Sequence, residues 1–457
     1  MIEAPVSDPI VTAAVEAGQA WANAGLEARL AVLREAGQAL ADQRDRLDAG
    51  LRGDGLSDKL AAYYGDWIVR CGDPDLLERY ARDHARWVAT GTGGELMVRR
   101  PDGLVLLVVP GNSPTLNAAT LFTILLPGNA VITRAPKVDA GLRFIVDDVL
   151  GGALENHGFS RDLVPVVTSR SRPFLDRFMP LPEVRNVVFF GNSRAGRSVA
   201  DRAHELGKKV VLELEGSDHM IVWKDADVVE AVKSAVHGFD FSTTPCPIPK
   251  HFLVHDAIYD QFLAALQAQV PTCATTIEAD PVDGNLIPLG NPDLYDQTLQ
   301  ELSSLGTVVT GGYRMQADGT RDDAGPYAAP TLVAVEAAEV EGRELYAFDE
   351  EISFPLIPVV RFRGEDAGIE AAMSRMVSES PFGLRASVWA EDPARIAGFT
   401  KAIGHVGLLL FNDEHSQIPA YAAPWGGPRR SGGPTGENHL FWLKTSHLQA
   451  IGCQRLD

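Results

Sequence analysis

Residues 186–216 read NVVFFGNSRAGRSVADRAHELGKKVVLELEG and contain the pattern that decides the fold. Two apolar runs, NVVFFG (186–191) and KVVLEL (209–214), have the length and the Val and Phe content of buried strands. We predict a helix between them, over 193–206. A strand–helix–strand unit of this length places its two strands parallel to one another. The stretch therefore predicts a parallel β-sheet.

The same alternation of strands and helices extends in both directions. The further predicted strands lie at 104–110, 130–135, 163–167, 307–312, 354–362, 385–390 and 406–412. The helices predicted between them lie at 115–126, 139–154, 257–269, 366–378 and 392–403. Strands that alternate with helices of this length are typical of α/β proteins, with helices on both faces of the sheet. The second series begins near residue 250, and a cleft between the two halves is the expected ligand site.

The N-terminal region follows a different pattern. Residues 8–88 are predicted to be helical, and the segment 26–51 has leucines and alanines at helical spacing along one face. The runs ELMVRR (95–100) and LVLLVVP (104–110) are separated by Pro-Asp-Gly and predict a hairpin or a bent pair of strands.

Composition limits the classes of partner. The 457 residues are 45% hydrophobic and 22% charged, as in soluble globular proteins. With 41 Lys and Arg against 61 Asp and Glu, the net charge is −20, which excludes nucleic acid and anionic membranes as general partners. We also find no signal-peptide pattern and no apolar run near the about 20 residues of a membrane-spanning helix.

Cysteine usage indicates the compartment. The four cysteines, at 71, 246, 273 and 453, show no metal-like spacing and are too few for a disulfide framework. We therefore expect a reduced, cytoplasmic protein without a metal site.

Three side chains at strand ends or bends are candidates for a catalytic role. Cys246 lies between two prolines in FSTTPCPIPK (241–250), on a rigid segment between the two series. Glu213 ends a predicted strand, and Asn112 follows another. A thiol, a carboxylate and an amide suit a nucleophile, a base and an oxyanion donor. Each also has a non-catalytic alternative: Cys246 as a buried small side chain, Glu213 as a solvated charge and Asn112 as a helix cap.

The turn GNSRAG (191–196) joins a strand to a helix. Gly191 and Gly196 at a helix N-terminus can bring backbone N–H groups close to a phosphate. The spacing is not G-x-G-x-x-G, so an ordinary turn capped by Asn192 or Ser193 is equally compatible.

Taken in order along the chain, these motifs resemble those of the aldehyde dehydrogenase superfamily over nearly the whole length. Seven blocks carry the resemblance: VVPGNSP (108–114), GNAVITRAPK (128–137), FFGNSRAGR (189–197), LELEG (212–216), EEISFP (350–355), PFGLRASVW (381–389) and PWGGPRRSG (424–432). The fold that the resemblance implies is α/β, with a Rossmann-like cofactor domain, an α/β catalytic domain and a small bridging hairpin and tail.

The resemblance also implies a role for individual residues. Cys246 would be the nucleophile, Glu213 the general base and Asn112 the oxyanion donor. The reaction would oxidise a small-molecule aldehyde to an acid with NAD or NADP, through a thiohemiacetal and a thioester on the cysteine. The residues that would contact the cofactor are Arg134, Lys137, Gly191, Asn192, Gly196 and Glu351.

Some positions depart from the family pattern. Lys137 stands where a ribose-binding glutamate is usual, and together with Arg134 it predicts that NADP is favoured, because cations attract a 2′-phosphate. A solvated Lys137 is the alternative, which leaves NAD open. Glu215 replaces a glycine, and two courses of the chain stay open at this position, a continued strand or a bend. Small side chains at Ser113 and Ser353, with Gly111, predict a wider pocket mouth unless Trp425 refills it.

The resemblance implies a division into parts and an assembly. Residues 1–82 and 102–245 would form the dinucleotide-binding domain, and 246–435 the catalytic domain. Residues 83–101 and 436–457 would form a bridging sheet that pairs with another subunit in a homodimer or homotetramer. Two other functions remain: an acylating dehydrogenase or acyl-CoA reductase, and an inactive relative with a binding role.

Overall fold

The computed structural model describes residues 8–90, 93–137, 139–417, 426–433 and 441–454. The strands in these ranges are, in chain order, β1 (Ala85–Thr90), β2 (Gly93–Pro101), β3 (Leu104–Val108), β4 (Ala130–Ala135), β5 (Val166–Thr168), β6 (Val184–Phe190), β7 (Lys209–Glu213), β8 (Asp218–Val222), β9 (Pro249–His255), β10 (Gly306–Thr310), β11 (Arg314–Met315), β12 (Tyr327–Ala328), β13 (Thr331–Glu336), β14 (Leu356–Phe362), β15 (Arg385–Trp389), β16 (Leu408–Phe411) and β17 (Ser446–Gln454).

The longer helices of the described ranges cover both sheets. They are Pro9–Asn23, Leu26–Asp42, Arg44–Gly53, Asp58–Val69, Pro74–His84, Ser171–Phe178, Ser193–Glu205, Val228–Asp240, Asp256–Gln269, Pro292–Leu305, Asp366–Glu379 and Pro393–Ala402. No helix in the described part of the chain is long and apolar enough to span a membrane.

A five-stranded sheet contains the stretch that predicted the fold. Its order is β5-β4-β3-β6-β7, and every pairing is parallel. All residues of β3 and β4 are buried, because helices cover both faces of the sheet. The helix Ser193–Glu205 connects β6 to β7, as predicted.

The second sheet has seven strands in the order β10-β13-β14-β9-β8-β15-β16. Its pairings are parallel except for the edge strand β10, which runs antiparallel to β13. Separate apolar clusters pack on its two faces, while a third surrounds the five-stranded sheet. The predicted α/β class is therefore confirmed.

The predicted hairpin over 95–110 is wrong. Strand β2 pairs antiparallel with β1 and β17 in a three-stranded sheet, whereas β3 pairs with β4 and β6. Strand β3 is apolar on both faces and is stable only as a central strand with helices on both sides of the sheet. The turn at Gly103, with φ +116°, separates β2 from β3. Residues 85–88, predicted as helical, belong to β1.

The chain passes from the five-stranded to the seven-stranded sheet between residues 213 and 218, before the predicted domain boundary at 245/246. Strand β7 ends at Glu213, and β8, only a few residues later, already pairs with β9 and β15 in the seven-stranded sheet. No linker composition marks this crossing, because residues 214–217 are packed against both sheets and Leu214 is itself buried.

Candidate active site

A cavity of about 280 Å³ lies between the five-stranded and the seven-stranded sheets. The ends of β3, β6 and β7 and the segment before β9 form its walls, the position where parallel sheets commonly bind ligands. Six of the predicted site residues line it: Asn112, Gly191, Asn192, Glu213, Cys246 and Glu351. Folding therefore brings together side chains that are up to 239 positions apart, from 112 to 351.

Cys246 lies half-buried on a loop that is held in an unusual shape. Ser242 and Thr243 adopt φ angles of 52° and 50°, in the left-handed region. The fully buried Lys250 donates hydrogen bonds to the carbonyl oxygens of Thr243 and Pro245, the latter at 3.3 Å. The ammonium group of Lys250 thus holds the loop that carries Cys246, and Cys246 lines the cavity.

The surroundings of the Cys246 thiol act on its pKa in both directions. Burial raises the pKa of the Cys246 thiol well above its usual range, and the nearby Glu351 carboxylate adds to this effect. Arg385 acts in the opposite direction and favours the thiolate. Burial also raises the pKa of Glu351 to about 7, against the influence of Lys250, and the Glu351 side chain accepts a hydrogen bond from Gly216 N–H at 3.2 Å.

Glu213 and Glu215 both line this cavity. Glu213 is the last residue of β7, and its side chain is buried. The strand ends there, and the Glu215 carboxylate accepts a hydrogen bond at 2.7 Å from the backbone N–H of Ser193, the first residue of the helix Ser193–Glu205.

Asn112 is exposed in the loop between β3 and the short helix Pro114–Ala118. Its N-cap residue is Ser113, which makes no side-chain cap hydrogen bond, and the Asn117 side chain donates to Ser113 O at 2.8 Å. Asn112 is therefore not the cap of this helix, and it lines the cavity beside Ser113. Ser353 lines neither this cavity nor the next one, and Trp425 lies outside the described residues.

A second cavity, of about 750 Å³, shares Gly191 and Asn192 with the first and extends towards Arg134. The Asn192 side chain caps the helix Ser193–Glu205 by accepting from Ala195 N–H at 2.8 Å. A Cβ atom at Gly191 would lie 2.7 Å from the Phe189 ring, so this tight turn needs glycine. Together the two cavities have the elongated shape and the helix N-terminus that suit a dinucleotide.

The predicted adenosine contacts are only partly brought together. Arg134 lines the second cavity, but its guanidinium donates to Ser169 O at 2.7 Å and to Val109 O at 2.8 Å. Lys137 is exposed and lines neither cavity. Gly196 also lies outside both; a Cβ atom there would come within 2.4 Å of Leu214, so this glycine serves close packing of helix on strand.

Sequence reasoning missed three arginines. Arg172 and Arg202 line the second cavity and add positive charge near Arg134. Arg385 lines the first cavity, and it occupies the variable position of the block PFGLRASVW, where its charge was a signal that could have been noticed. In the described ranges we find no group of three or more side chains arranged to hold a metal ion.

The fold and the site define a class of protein: an α/β enzyme with a dinucleotide-sized cleft and a thiol beside a carboxylate. Residues 3–449 match the sequence profile of the aldehyde dehydrogenase family, so the chain belongs to that family. The predicted recognition is confirmed, and the chain is an NAD(P)-dependent aldehyde dehydrogenase.

Relatives and solved structures agree with this membership. The chain is 27% identical to vanillin dehydrogenase of Pseudomonas fluorescens, over 97% of this chain and 90% of the relative. It is 25% identical to an NADP-dependent succinate-semialdehyde dehydrogenase of Deinococcus radiodurans, over 93% and 85%. The fold matches lactaldehyde dehydrogenase from Escherichia coli with a TM-score of 0.82, at 22% identity and with 98% and 90% of the two chains covered.

Proposed function

We propose that this chain oxidises a small, largely apolar aldehyde to the carboxylic acid with Cys246 as the nucleophile. One observation carries the proposal: a single cavity between the sheets is lined by Cys246, Glu213, Asn112 and Glu351. These side chains supply a thiol, a base, an amide donor and a carboxylate suited to a ribose hydroxyl.

In the first half of the reaction, the Cys246 thiol gives its proton to water in the cavity, with Arg385 favouring the thiolate, and the sulfur then attacks the aldehyde carbon, so that the C=O π bond opens to the thiohemiacetal oxyanion. Asn112 Nδ2 and the backbone N–H of Cys246 donate to the developing oxyanion, and each such donor is typically worth about 3–4 kcal/mol. The bound nicotinamide supplies the hydride acceptor. Lys250, by fixing the loop of Cys246, keeps the sulfur in place during this step.

In the second half, water releases the acid from the thioester. Glu213 is buried at the cavity wall and removes the proton of the attacking water. The presence of this carboxylate favours hydrolysis over transfer of the acyl group to coenzyme A.

For the cofactor, we propose that Gly191 and Asn192 lie at the pyrophosphate and Glu351 at the nicotinamide ribose. Three cations that line the second cavity, Arg134, Arg172 and Arg202, against the one carboxylate of Asp176 among its described lining, support NADP as the favoured cofactor, with NAD also accepted. This replaces Lys137 as the main source of that preference.

The walls of the first cavity support an aromatic or short apolar substrate. Its apolar lining comes from Tyr64, Leu116, Phe241, Ile248, Leu384 and Leu408. A volume of about 280 Å³ is at the small end for ligand sites. The relatives named vanillin and benzaldehyde dehydrogenase agree with a ring-bearing aldehyde.

The test follows reduced cofactor in wild type and three variants with benzaldehyde. Cys246→Ala is expected to abolish turnover, and Glu213→Gln is expected to give one burst and then a rate lowered about 10²–10⁴-fold, because deacylation stalls. The control Cys273→Ala, at a buried cysteine outside the cavity, should keep the wild-type rate. An absolute need for coenzyme A, or full activity of Cys246→Ala, would contradict the proposal.

We also propose that the chain is a cytoplasmic homodimer or homotetramer that pairs through the three-stranded sheet. Four large apolar side chains are exposed on β1 and β17: Trp87, Val88, Leu448 and Ile451. Trp87 is 57% exposed, which is unusual for an isolated subunit surface. The cysteines Cys71, Cys246 and Cys273 are unpaired, as expected in a reducing compartment.

A further inference from the structure

Arg385, the first residue of β15, is a buried arginine with unused hydrogen-bonding capacity. Its side chain is buried in the wall of the first cavity. Nη1 donates to the carbonyl oxygens of His415 and Gln417, both at 2.7 Å. Nε is buried and has no hydrogen-bond partner among the described residues. A buried donor without a partner is costly and calls for an acceptor that binds there.

The charge of Arg385 is also uncompensated at close range. Within the described ranges, no carboxylate oxygen lies within 4.0 Å of its guanidinium. Asp218 is the nearest acidic influence, but its Oδ1 accepts the backbone N–H of Arg385 at 3.1 Å instead of a guanidinium proton. Removing a cation from water without a paired anion is strongly unfavourable.

Comparison with the other buried arginines makes the difference clear. Among the described residues, Arg29 and Arg134 are the other two, and both donate from Nε to a backbone carbonyl, Leu126 O and Ser169 O respectively. Arg385 is the one that leaves Nε open, and it is the one in the wall of the cavity that contains Cys246. This cavity has no second cation among its described lining residues.

We propose that Arg385 binds an anionic group of the substrate, so that the preferred aldehydes carry a carboxylate on a small, largely apolar skeleton. The inference rests on the proposed function and deepens it. A carboxylate accepts from Nε and Nη of an arginine in parallel, a geometry that lysine cannot reproduce. The acidic side chains that line the cavity, Glu213, Glu215 and Glu351, offer an anion no partner, so Arg385 is the cation available to it among the described lining residues.

A purely structural role of Arg385 must be separated from anion binding, because Nη1 also holds the loop 415–417, and Ser416 of that loop lines the cavity. Ser387 provides a matched control. Its hydroxyl lies 2.7 Å from Nδ1 of His415, so it holds the same loop, but it does not line the cavity. Ser387→Ala should therefore loosen the loop without removing the anion site.

The experiment compares benzaldehyde with 4-carboxybenzaldehyde in wild type, Arg385→Met, Arg385→Lys and Ser387→Ala. Wild type is expected to prefer the carboxylate substrate in kcat/KM by about tenfold or more, as expected for hydrogen bonds to a charged group. Arg385→Met should lose this preference, mainly through KM: benzaldehyde turnover falls as well, because Arg385 favours the Cys246 thiolate, but the ratio of the two kcat/KM values falls towards one. Arg385→Lys should recover only part of the preference, and Ser387→Ala should affect both aldehydes equally.

A measurement on wild type alone covers the case in which the Arg385 variants do not fold. Terephthalate, which carries two carboxylates and no aldehyde, should slow alkylation of Cys246 by iodoacetamide, and benzyl alcohol at the same concentration should not. Equal treatment of the two aldehydes by wild type, or parallel loss of both in Arg385→Met, overturns the inference. If no aldehyde is oxidised at all, the proposed function fails instead.

Discussion

Glu215 shows how one substituted residue changes the cofactor side of the cleft. Its carboxylate lies at the start of the helix Ser193–Glu205 and accepts the Ser193 N–H at 2.7 Å. A helix N-terminus attracts anions, and the proposed pyrophosphate position lies at the same turn. The side chain therefore takes up part of the positive potential that a phosphate would otherwise use.

We predict that Glu215→Gln binds NADP more tightly. The amide oxygen can still accept from Ser193, whereas the negative charge is lost, and one nearby like charge in a partly exposed site is worth roughly 1 kcal/mol, or about fivefold in Kd. A fluorescence titration with NADP measures this. Glu16→Gln removes an equal charge from the exposed face of the helix Pro9–Asn23 and should leave Kd unchanged. An unaltered Kd in Glu215→Gln would show that the carboxylate does not face the phosphates.

At the scale of elements, a close backbone contact packs two segments of the N-terminal helical region together. Gly37 of the helix Leu26–Asp42 meets Gly72 so closely that a Cβ atom at Gly37 would lie 2.5 Å from the Gly72 Cα. Backbone that approaches backbone in this way cannot give room as a flexible side chain can.

Gly37→Ala is accordingly expected to destabilise the protein by about 1–3 kcal/mol, although alanine is by itself the better helix former. The control is Gly368→Ala in the helix Asp366–Glu379, where no heavy atom lies within 4 Å of the added Cβ. That change should stabilise by up to about 1 kcal/mol. Thermal midpoints of both variants, measured at one scan rate, test the opposite signs.

On the scale of the whole molecule, a partly buried ionic network joins the N-terminal helices to the seven-stranded half. His237 lies between two carboxylates, with Nδ1 3.1 Å from Asp240 Oδ2 and Nε2 3.0 Å from Glu414 Oε1. From the N-terminal side, Lys59 pairs with Asp240 at 2.6 Å and Tyr63 donates to Glu414 at 3.0 Å. Burial opposes the charge of His237, but the two carboxylates outweigh it and raise its pKa to about 9.

This pKa predicts a pH dependence of stability. Because the folded pKa of His237 is above its ordinary value of 6.5, its stabilising contribution is complete below pH 6.5 and is lost as the pH rises through about 9. A shift of this size corresponds to about 3 kcal/mol at most. The thermal midpoint should fall between pH 6.5 and 9.5 in wild type and fall less in His237→Gln. The same fall in both proteins would assign the effect to other groups.

The local sequence pattern was sufficient to predict the strands and helices on either side of residues 186–216. Hydrophobic period and apolar content depend only on neighbouring residues. The resemblance to a known family was sufficient for the positions of Cys246, Glu213, Asn112 and Glu351, which the structure places in one cavity. Their chemical roles remain proposals that the variants above test.

Other features depend on residues that are distant in the chain, and only the tertiary structure decided them. Strand β2 pairs with β1 and β17 and not with β3, the next strand in the chain, because strand pairing depends on which edges the whole fold brings together. Lys137 is exposed and lines neither cavity, which depends on how the segment after β4 is placed relative to the rest of the fold. The sequence does not show that Arg385 Nε lacks a hydrogen-bond partner among the described residues, since this depends on how side chains pack around it in the folded protein.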